Sequence, residues 1–330
     1  MFEKLTKLIN ENNFSGVVYV EREGQVLFHE AYGFLERANK IENKKDTSFG
    51  VASGTKLFTG LGILKLIESD KLKLDSKVFD IIEKPFSSYN KDVTVEHLLT
   101  HTSGLADYFD EDLVEDFDNF KIDKPWHELL KPSDYYSSLP DRPMKFEPGS
   151  EFNYNNSGFV LLAMIIEKLT GDYHTYIDEV IVNPLQLKST GFYKLNALPK
   201  NTAYGYIDEE NGYRTNVYNL PIIGGGDGGI FTSANDLSKL WHALMEYKLL
   251  SPSMTDNLFK AHTPSEEDDY YGLAVWLDSD INPYIVGSDA GVSFVSRYIK
   301  DKDIIISILS NTSDGAWSIS RELSKIIKNS

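Results

Sequence analysis

A serine and a lysine stand three positions apart where an apolar helix is expected to begin. They are Ser53 and Lys56 of the stretch V-A-S-G-T-K-L-F at 51–58. Residues three apart on a helix lie on one face, with about 5–6 Å between their Cβ atoms, so the amine can reach the hydroxyl. Because burial in a cleft disfavours the charged form of a lysine, Lys56 can accept the serine proton and make Ser53 a nucleophile.

The sequence around this pair separates it from a chance match. A second pair at the same spacing, Ser88 and Lys91, lies in F-S-S-Y-N-K-D without apolar periodicity. The residues after Ser53 predict one apolar helix face, formed by Leu57, Phe58, Leu61, Leu64 and Ile67. The alternative is that Ser53 only caps this helix. A capping box has Glu or Gln at the third helical position, and a lysine there faces the positive end of the helix dipole, so capping does not account for Lys56.

Three further motifs each allow a structural interpretation. Asn156 or Ser157 is expected to cap the helix that follows E-P-G-S-E-F-N-Y-N-N-S-G-F at 147–159. His97 and His101 have the i, i+4 spacing of a zinc helix, but no glutamate lies between them, so no metal site is predicted. The glycines of G-G-G-D-G-G at 224–229 fit a dinucleotide fingerprint only if a helix begins at them, and a tight turn is the expected structure.

Composition limits the partners and the chemistry of this 330-residue chain. The chain has 33 Lys and Arg against 50 Asp and Glu, a net charge of −17, so its surface repels nucleic acid and anionic lipid. It has no cysteine, which excludes disulfides, cysteine zinc sites and thiol nucleophiles. Its apolar runs are shorter than the roughly 20 residues that span a bilayer, so no membrane span is predicted. The first residues lack the apolar core of a signal peptide, which predicts a cytoplasmic protein, or an extracytoplasmic one if a signal has been removed.

The two ends of the chain predict strands of one antiparallel sheet. Residues 14–33 form two strand-like runs around a Glu23-Gly24 turn, a pattern typical of a β-hairpin. Strand-like runs also follow one another between residues 270 and 310, and a terminal helix is predicted at Ala316–Lys328.

The middle of the chain predicts helices instead. Val95–Leu99 and Val160–Leu169 have helical spacing, and residues 107–141 are acidic, aromatic and interrupted by proline. We therefore predict an α+β fold, with an antiparallel sheet flanked by helices and built from residues 1–75 and 175–330. A mainly helical lobe of residues 76–174 is inserted beside it, with a cleft at the junction.

Five motifs in order resemble those of the serine β-lactamase and penicillin-binding-protein superfamily, most closely its class-C-like branch. They read V-A-S-G-T-K-L-F, H-L-L-T-H-T-S-G-L, F-E-P-G-S-E-F-N-Y-N-N-S-G-F, G-G-I-F-T-S-A-N-D-L and G-S-D-A-G-V-S-F. The resemblance runs from about Phe14 to about Trp317. It implies the β-lactamase and DD-peptidase fold, and an acyl-enzyme mechanism that needs no metal or organic cofactor.

The resemblance also implies roles for individual residues. Ser53 matches the family nucleophile and Lys56 its partner, while Tyr154 matches the tyrosine that helps to activate the serine and carries its proton to the leaving group. Asn156 matches an asparagine that orients the substrate. The backbone N–H groups of Ser53 and Val292 would form the oxyanion hole.

The third family motif departs from its usual pattern. A Lys or His, a small residue and a Gly normally line the cleft there, whereas this chain has Asp289-Ala290-Gly291. The oxyanion hole uses backbone groups and survives the change, but the cation that usually meets a substrate carboxylate is replaced by an acid. We therefore expect no strong preference for a substrate carboxylate. The alternative is that Asp289 turns away into an ion pair or a turn hydrogen bond.

These observations predict a serine hydrolase acting on an ester, an amide or a D-amino-acid peptide, as an esterase, D-aminopeptidase or carboxypeptidase. Its partner is then a small molecule or a short peptide. One alternative is a catalytically silent protein that binds a peptide or cell-wall fragment in the same cleft, although binding alone does not require a proton relay. Another alternative, nucleotide binding, rests on the glycine segment alone.

Overall fold

One antiparallel sheet joins strands from both ends of the chain. The computed structural model describes residues 2–122, 124–265 and 268–328. Its strands in chain order are β1 Gly16–Arg22, β2 Gln25–Tyr32, β3 Phe34–Glu36, β4 Ile41–Glu42, β5 Phe49–Gly50, β6 Tyr206–Glu209, β7 Gly212–Thr215, β8 Phe231–Thr232, β9 Thr263–Pro264, β10 Tyr270–Tyr271, β11 Trp276–Leu277, β12 Pro283–Asp289, β13 Val292–Ile299 and β14 Ile304–Ser310. Within these described ranges, eight strands pair antiparallel in the order β2-β1-β14-β13-β12-β11-β10-β9. The predicted fold class is confirmed.

The hairpin and the last strand follow directly from their sequences. Glu23 and Gly24 have φ angles of +50° and +75°, which a two-residue turn between twisted strands requires. The strand β14 is a nearly continuous apolar run because both of its faces are covered. Ile305 faces the main core, whereas its neighbour Ile306 packs with the helices at the two ends of the chain.

Helices cover both faces of the sheet and form a lobe beside it. In chain order they are α1 Glu3–Glu11, α2 Thr55–Glu68, α3 Val95–Leu99, α4 Asn156–Thr170, α5 Tyr173–Ile177, α6 Ala234–Met245, α7 Pro252–Leu258 and α8 Gly315–Lys328. The helices α1 and α8 pack on one face of the sheet, and α6 packs on the other. The terminal helix α8 begins at Gly315, one residue before the predicted start at Ala316.

The helix that follows Ser53 is buried on almost every side. Four of the five residues of the predicted apolar face are buried and the fifth, Ile67, is partly buried, while Ile63 and Leu66 outside that face are buried as well. The cause is that both α4 and α5 pack against α2. The helix α2 therefore runs through the core and holds its first turn rigidly at the cleft.

The lobe contains α3, α4 and α5 together with short 3-10 turns at 117–119, 126–128 and 132–138. The predicted helix at Val95–Leu99 is present, and the one predicted at Val160–Leu169 begins earlier, at Asn156. The partition at residues 75/76 and 174/175 stays a prediction. In the part of the chain that the structure describes, no helix combines the length and the apolar character needed to cross a membrane.

Candidate active site

Ser53 lies in a short 3-10 turn, Ala52–Gly54, just before α2. The helix begins at Thr55 and no side chain caps it, so the interpretation of Ser53 as an N-cap is wrong. Ala52 has a φ of +46°, which is uncommon for a residue with a side chain. The turn packs directly against β12, where a Cβ added to Gly287 would lie 2.9 Å from the Ser53 nitrogen. Backbone packing therefore presents the Ser53 hydroxyl at the cleft.

The buried amine of Lys56 contacts Ser53 and two further acceptors. Its Nζ lies 2.9 Å from Ser53 Oγ, 2.7 Å from Asn156 Oδ1 and 2.9 Å from the carbonyl oxygen of Asp227. Burial lowers the pKa of Lys56, and the charge of nearby carboxylates, first that of Asp227, acts against this. A neutral Lys56 can donate to the other two oxygens and still accept the Ser53 proton, so the geometry suits a general base.

The first turn of α4 carries Asn156 into the site. Asn155 caps this helix, because its side chain accepts a hydrogen bond from Gly158 N at 2.7 Å, and the cap predicted at Asn156 or Ser157 is therefore wrong. Buried Asp107 accepts hydrogen bonds from the backbone N–H groups of Asn156 at 2.6 Å and Ser157 at 2.8 Å. A carboxylate at this positive helix end holds the turn in place.

The side-chain amide of Asn156 links Lys56 to the lobe. Its Oδ1 accepts from Lys56, while its Nδ2 donates to the Phe109 carbonyl at 2.8 Å and to Glu111 Oε1 at 3.1 Å. Because the nitrogen has two acceptors of its own, the oxygen stays directed at the lysine. This contact also joins residues 109–111 to the candidate catalytic residues.

Tyr154 reaches the same point from the segment before α4. Its ring centre lies 4.9 Å from Lys56 Nζ, and its phenol lies beside the Ser53 hydroxyl. The ring packs against His101, with 4.4 Å between centroids, and stacks on Trp276 at 5.8 Å. Burial raises the pKa of Tyr154 well above its ordinary value, so the phenol is neutral near pH 7. The structure thus brings Ser53, Lys56 and Tyr154 together, and their catalytic roles stay predictions.

The glycine segment 224–229 is a tight turn whose backbone passes beside Lys56. The strand β8 separates it from α6, so no helix begins at these glycines and the dinucleotide fingerprint lacks its required context. Gly226 lies so close to α4 that an added Cβ would be 2.3 Å from the Phe159 carbonyl oxygen. The segment therefore allows the close backbone approach that was predicted, and this approach places the Asp227 carbonyl at the lysine.

Replacing Gly226 with alanine is expected to destabilise the protein by about 1–3 kcal/mol, because the methyl group would overlap backbone that cannot move independently. Thermal or denaturant unfolding measures the change. Gly228→Ala is the matched control, since a Cβ there meets its nearest atom, Asp289 Oδ2, only at 3.7 Å. Equal stabilities of the two variants would contradict the close approach at Gly226.

Asp289, Gly291 and Val292 lie where β12 turns into β13. Asp289 pairs with Val292 across the turn, and Gly291 has a φ of +70° and donates its backbone N–H to Ser313 Oγ at 2.9 Å. Val292 lines the cavity in front of Ser53, as a contributor to an oxyanion hole must. Its proposed role and that of Gly291 stay predictions.

The carboxyl group of Asp289 has no ion pair and no hydrogen-bond partner among the described residues. The structure thus does not support the alternative in which Asp289 turns away into such a contact. The group lies close to Gly228 and lines the same cavity as Ser53. Burial, together with the negative charges of Asp227 and Glu111, raises the pKa of Asp289 to about 7.

The cavity in front of Ser53 is acidic. Its described lining includes Asp227 and Asp289 but no Lys, Arg or His. Asp227 accepts a hydrogen bond from the Tyr108 hydroxyl at 2.5 Å, so its carboxylate is already engaged. Neither Asp227 nor Glu111 was predicted as a site residue from the sequence. The only available signal for Glu111 was the acidic and aromatic composition of residues 107–141.

The two histidines of H-L-L-T-H have separate structural contacts. His97 Nδ1 accepts from the backbone N–H of Thr94 at 3.2 Å, and His101 Nδ1 accepts from that of Asn155 at 3.0 Å. Burial lowers the pKa of His101 well below its ordinary value, so its ring is neutral beside Tyr154. Residues 2–122, 124–265 and 268–328 contain no group of side chains that could hold a metal ion.

Comparisons with known proteins place this geometry in a family. Residues 2–323 match the family model described as Beta-lactamase. The crystal structure of a penicillin binding protein from Bacillus halodurans superposes with a TM-score of 0.92 at 37% identity, covering 98% of this chain and 99% of that chain. The putative penicillin-binding protein PbpX of Bacillus subtilis is 27% identical over 318 residues, which are 95% of this chain and 75% of that protein.

A third similar protein is the teichoic acid D-alanine hydrolase of Staphylococcus aureus. It is 25% identical over 310 residues, which are 92% of this chain and 72% of that protein. Its similarity, like that of the other two, extends over both the sheet and the lobe. Because the family match spans nearly the whole length and the fold agrees with it, the chain belongs to the β-lactamase family, a family of serine hydrolases.

Proposed function

We propose that this serine hydrolase forms an acyl-enzyme on Ser53 and favours D-aminoacyl esters or amides whose α-amino group is free and positively charged. The observation that carries the proposal is the unpartnered carboxyl group of Asp289, which lines the same cavity as Ser53. A substrate carboxylate would find no Lys, Arg or His in the described lining of that cavity.

Acylation begins with transfer of the Ser53 proton to Lys56. The two atoms are 2.9 Å apart, and the lowered pKa of Lys56 makes the neutral amine available. The serine oxygen then attacks the substrate carbonyl carbon. Backbone N–H groups of Ser53 and Val292 stabilise the resulting oxyanion, a contribution of about 2.7–4 kcal/mol per donor in a comparable hydrolase.

Tyr154 supplies the proton that the leaving group needs. Its raised pKa keeps the proton on the phenol until the leaving nitrogen or oxygen develops basicity. The Lys56 ammonium, 4.9 Å from the ring centre, then restores that proton. A water molecule then enters in place of the leaving group, and the same steps in reverse hydrolyse the acyl-enzyme and return the proton to Ser53. Lys56 and Tyr154 thus serve one proton path.

Asp289 gives the cavity its preference for a cation. Two unit charges 4 Å apart at an effective dielectric constant of 20 interact by about 4 kcal/mol before the cost of desolvation. Asp227 already has Tyr108 as a donor and Lys56 is already surrounded by acceptors, so Asp289 is the group that an ammonium can pair with. A carboxylate in the same place would be repelled.

The relatives support the aminoacyl part of the proposal. One of them is named a teichoic acid D-alanine hydrolase. A D-alanyl group attached through its carbonyl carbon keeps its α-amino group, which is largely protonated at neutral pH because its pKa is about 8. A cell-wall substrate would place the protein outside the cytoplasm.

Asp289→Asn is expected to lower kcat/KM for D-alanine p-nitroanilide by about tenfold to a hundredfold while changing propionyl p-nitroanilide little, because only the first carries an ammonium. Asp289→Lys should reverse the preference and raise the rate of acylation by benzylpenicillin, which carries a carboxylate. Steady-state kinetics on the two anilides and intact-mass measurement of the penicillin adduct test this.

The matched control is Asp280→Asn, which makes the same change of net charge at an exposed position. Asp280→Asn should leave the ratio of kcat/KM for the two anilides unchanged. If wild type cleaves both anilides equally, or if Asp289→Lys changes neither preference, the proposed recognition of an ammonium group is wrong.

The preference for the ammonium substrate should depend on pH. Asp289 has a pKa of about 7, so its carboxyl group is neutral below this pH and attracts a cation above it. The ratio of kcat/KM for D-alanine p-nitroanilide to that for propionyl p-nitroanilide should therefore rise as pH increases through about 7. It should fall again as the substrate amine loses its proton near pH 8. A profile in Asp289→Asn with the same rising limb would assign that limb to another group.

A further inference from the structure

The cavity that begins at Ser53 ends in an aromatic wall. Phe109, Phe117 and Phe120 line it and pack on one another, with ring centroids 4.3 Å apart for Phe109 and Phe120 and 5.6 Å apart for Phe109 and Phe117. Trp126 and Leu220 line the same cavity. We call these five residues the aromatic wall. Each is only partly buried, so their apolar surface is open to whatever enters the cavity.

The wall is built from two segments that are far apart in sequence and joined by hydrogen bonds. The Trp126 carbonyl accepts a hydrogen bond from the backbone N–H of Ile222 at 3.1 Å. Leu220 belongs to a small apolar cluster with Ile222 and Phe231, separate from the main core. The wall is therefore supported by contacts from the segment that carries Leu220.

Asp118, which follows Phe117 in the turn at 117–119, joins this turn of the lobe to Ser313, Arg214 and Asn219. Its Oδ1 accepts from Ser313 Oγ at 2.6 Å, and the same Ser313 oxygen accepts from Gly291 N at 2.9 Å. Its carbonyl oxygen accepts from Arg214 Nη2 at 2.8 Å and from Asn219 Nδ2 at 2.7 Å. The turn that carries Phe117 is thus anchored next to the strand that carries Val292.

The lining of the cavity shows which half of the substrate meets the wall. Ser53, Asn156, Asp289 and Val292 line it, whereas Tyr154 does not. Because the proposed role of Tyr154 is to protonate the leaving group, the leaving group lies on the Tyr154 side, outside this cavity. The acyl group attached to Ser53 therefore occupies the cavity.

We propose that the aromatic wall is a subsite for a large apolar side chain on the acyl group, so that the preferred acyl donor is a D-amino acid with an aromatic or branched aliphatic side chain. This rests on the proposed acyl-enzyme function and adds the side chain to it. Asp118 is a positioning residue, which holds the wall against the oxyanion strand. Burial of an apolar side chain against aromatic rings supplies the selectivity.

Four p-nitroanilides separate this proposal from the proposed recognition of an ammonium group. They are the anilides of D-alanine, D-phenylalanine, propionic acid and 3-phenylpropionic acid, which combine a small or aromatic side chain with or without the amine. The wall predicts that kcat/KM is about tenfold or more higher for the phenyl member of each pair. The ammonium preference is read from the other comparison, between members with and without the amine.

Phe120→Ala and Trp126→Ala should each reduce the phenyl preference, which is the ratio of kcat/KM for the phenyl member of a pair to that for its small counterpart, towards one. Asp118→Ala should reduce it as well, while Asp118→Asn, which retains an oxygen acceptor for Ser313, should preserve most of it. Leu113→Ala is the matched control on the same segment, because Leu113 is 68% exposed and lies outside the cavity lining. Thermal unfolding of each variant, followed by kinetics below its midpoint, keeps loss of fold apart from loss of selectivity.

The outcomes separate the two proposals. A phenyl preference in both pairs without any effect of the amine would support the wall and overturn the role of Asp289. An effect of the amine without a phenyl preference would overturn the wall alone. A phenyl preference that survives Phe120→Ala and Trp126→Ala would also overturn the wall, and absence of turnover for all four anilides would overturn both proposals.

Discussion

Replacing Ser53 with alanine is expected to abolish acylation while the protein stays folded. Loss of a nucleophilic serine costs about 10⁶-fold in turnover in a well-studied serine protease, and a loss of at least about 10⁴-fold is expected here. Ser53 caps no helix and is partly exposed, so the free energy of unfolding should change by only about 0.5 kcal/mol. Hydrolysis of a nitrophenyl ester and intact-mass measurement after treatment with a fluorophosphonate test both statements.

The chain provides a matched control for this experiment. Ser88 has a lysine three positions later, as Ser53 has, but its hydroxyl donates to Asp141 Oδ1 at 2.8 Å on the surface. Ser88→Ala should therefore take up the fluorophosphonate as fast as wild type, with the adduct mapped to Ser53. Near-normal ester turnover by Ser53→Ala, or an adduct that persists in it, would refute the assignment of the nucleophile.

Lys56→Ala and Tyr154→Phe are each expected to slow acylation by about 10²–10⁴-fold, the range typical of a lost general acid or base. Their effects should not multiply in the double variant. Lys56 hydrogen-bonds the Ser53 oxygen and Tyr154 lies beside both groups, so the two residues serve one proposed proton path, and once either is removed the other has little left to contribute. The rates of phosphonylation by a fluorophosphonate and of acylation by an ester, in the two single variants and the double variant, measure this coupling.

Stability must be followed in this series, because the two substitutions differ in cost. Lys56→Ala removes the amine that donates to Asn156 Oδ1 and to the Asp227 carbonyl and leaves these two buried acceptors without that donor, so its midpoint of unfolding should fall. Tyr154→Phe keeps the ring contacts with His101 and Trp276 and should be nearly as stable as wild type. Effects that multiply in the folded double variant, or unchanged acylation by Tyr154→Phe, would contradict the shared path.

Local sequence was sufficient for the features that depend on neighbouring residues. The Glu23-Gly24 hairpin was predictable because a two-residue turn needs residues that tolerate positive φ. The contact between Ser53 and Lys56 was predictable because the start of a helix sets the distance between residues three apart. The family motifs, read in order, were sufficient for the fold class.

Some predictions failed because local patterns do not report what packs around them. The periodicity after Ser53 indicated one apolar face, but contacts with α4 and α5 help to bury residues of α2 outside that face as well. Asn155 caps α4 one residue before the expected position, because Asp107, almost 50 residues away, satisfies the N–H groups of Asn156 and Ser157. No spacing rule connects residues so far apart in the chain.

Short motifs were sufficient to predict the fold class and the residue types around the candidate nucleophile, because both depend on residues close together in the chain. Tertiary structure alone decided the electrostatics of the cavity. Asp227 and Glu111 come close to Lys56 only through the folding of distant parts of the chain, and the end of β12 places Asp289 beside the glycine turn, where no described residue donates a hydrogen bond to it. Charge interactions depend on distance and burial in space, which a one-dimensional pattern does not contain.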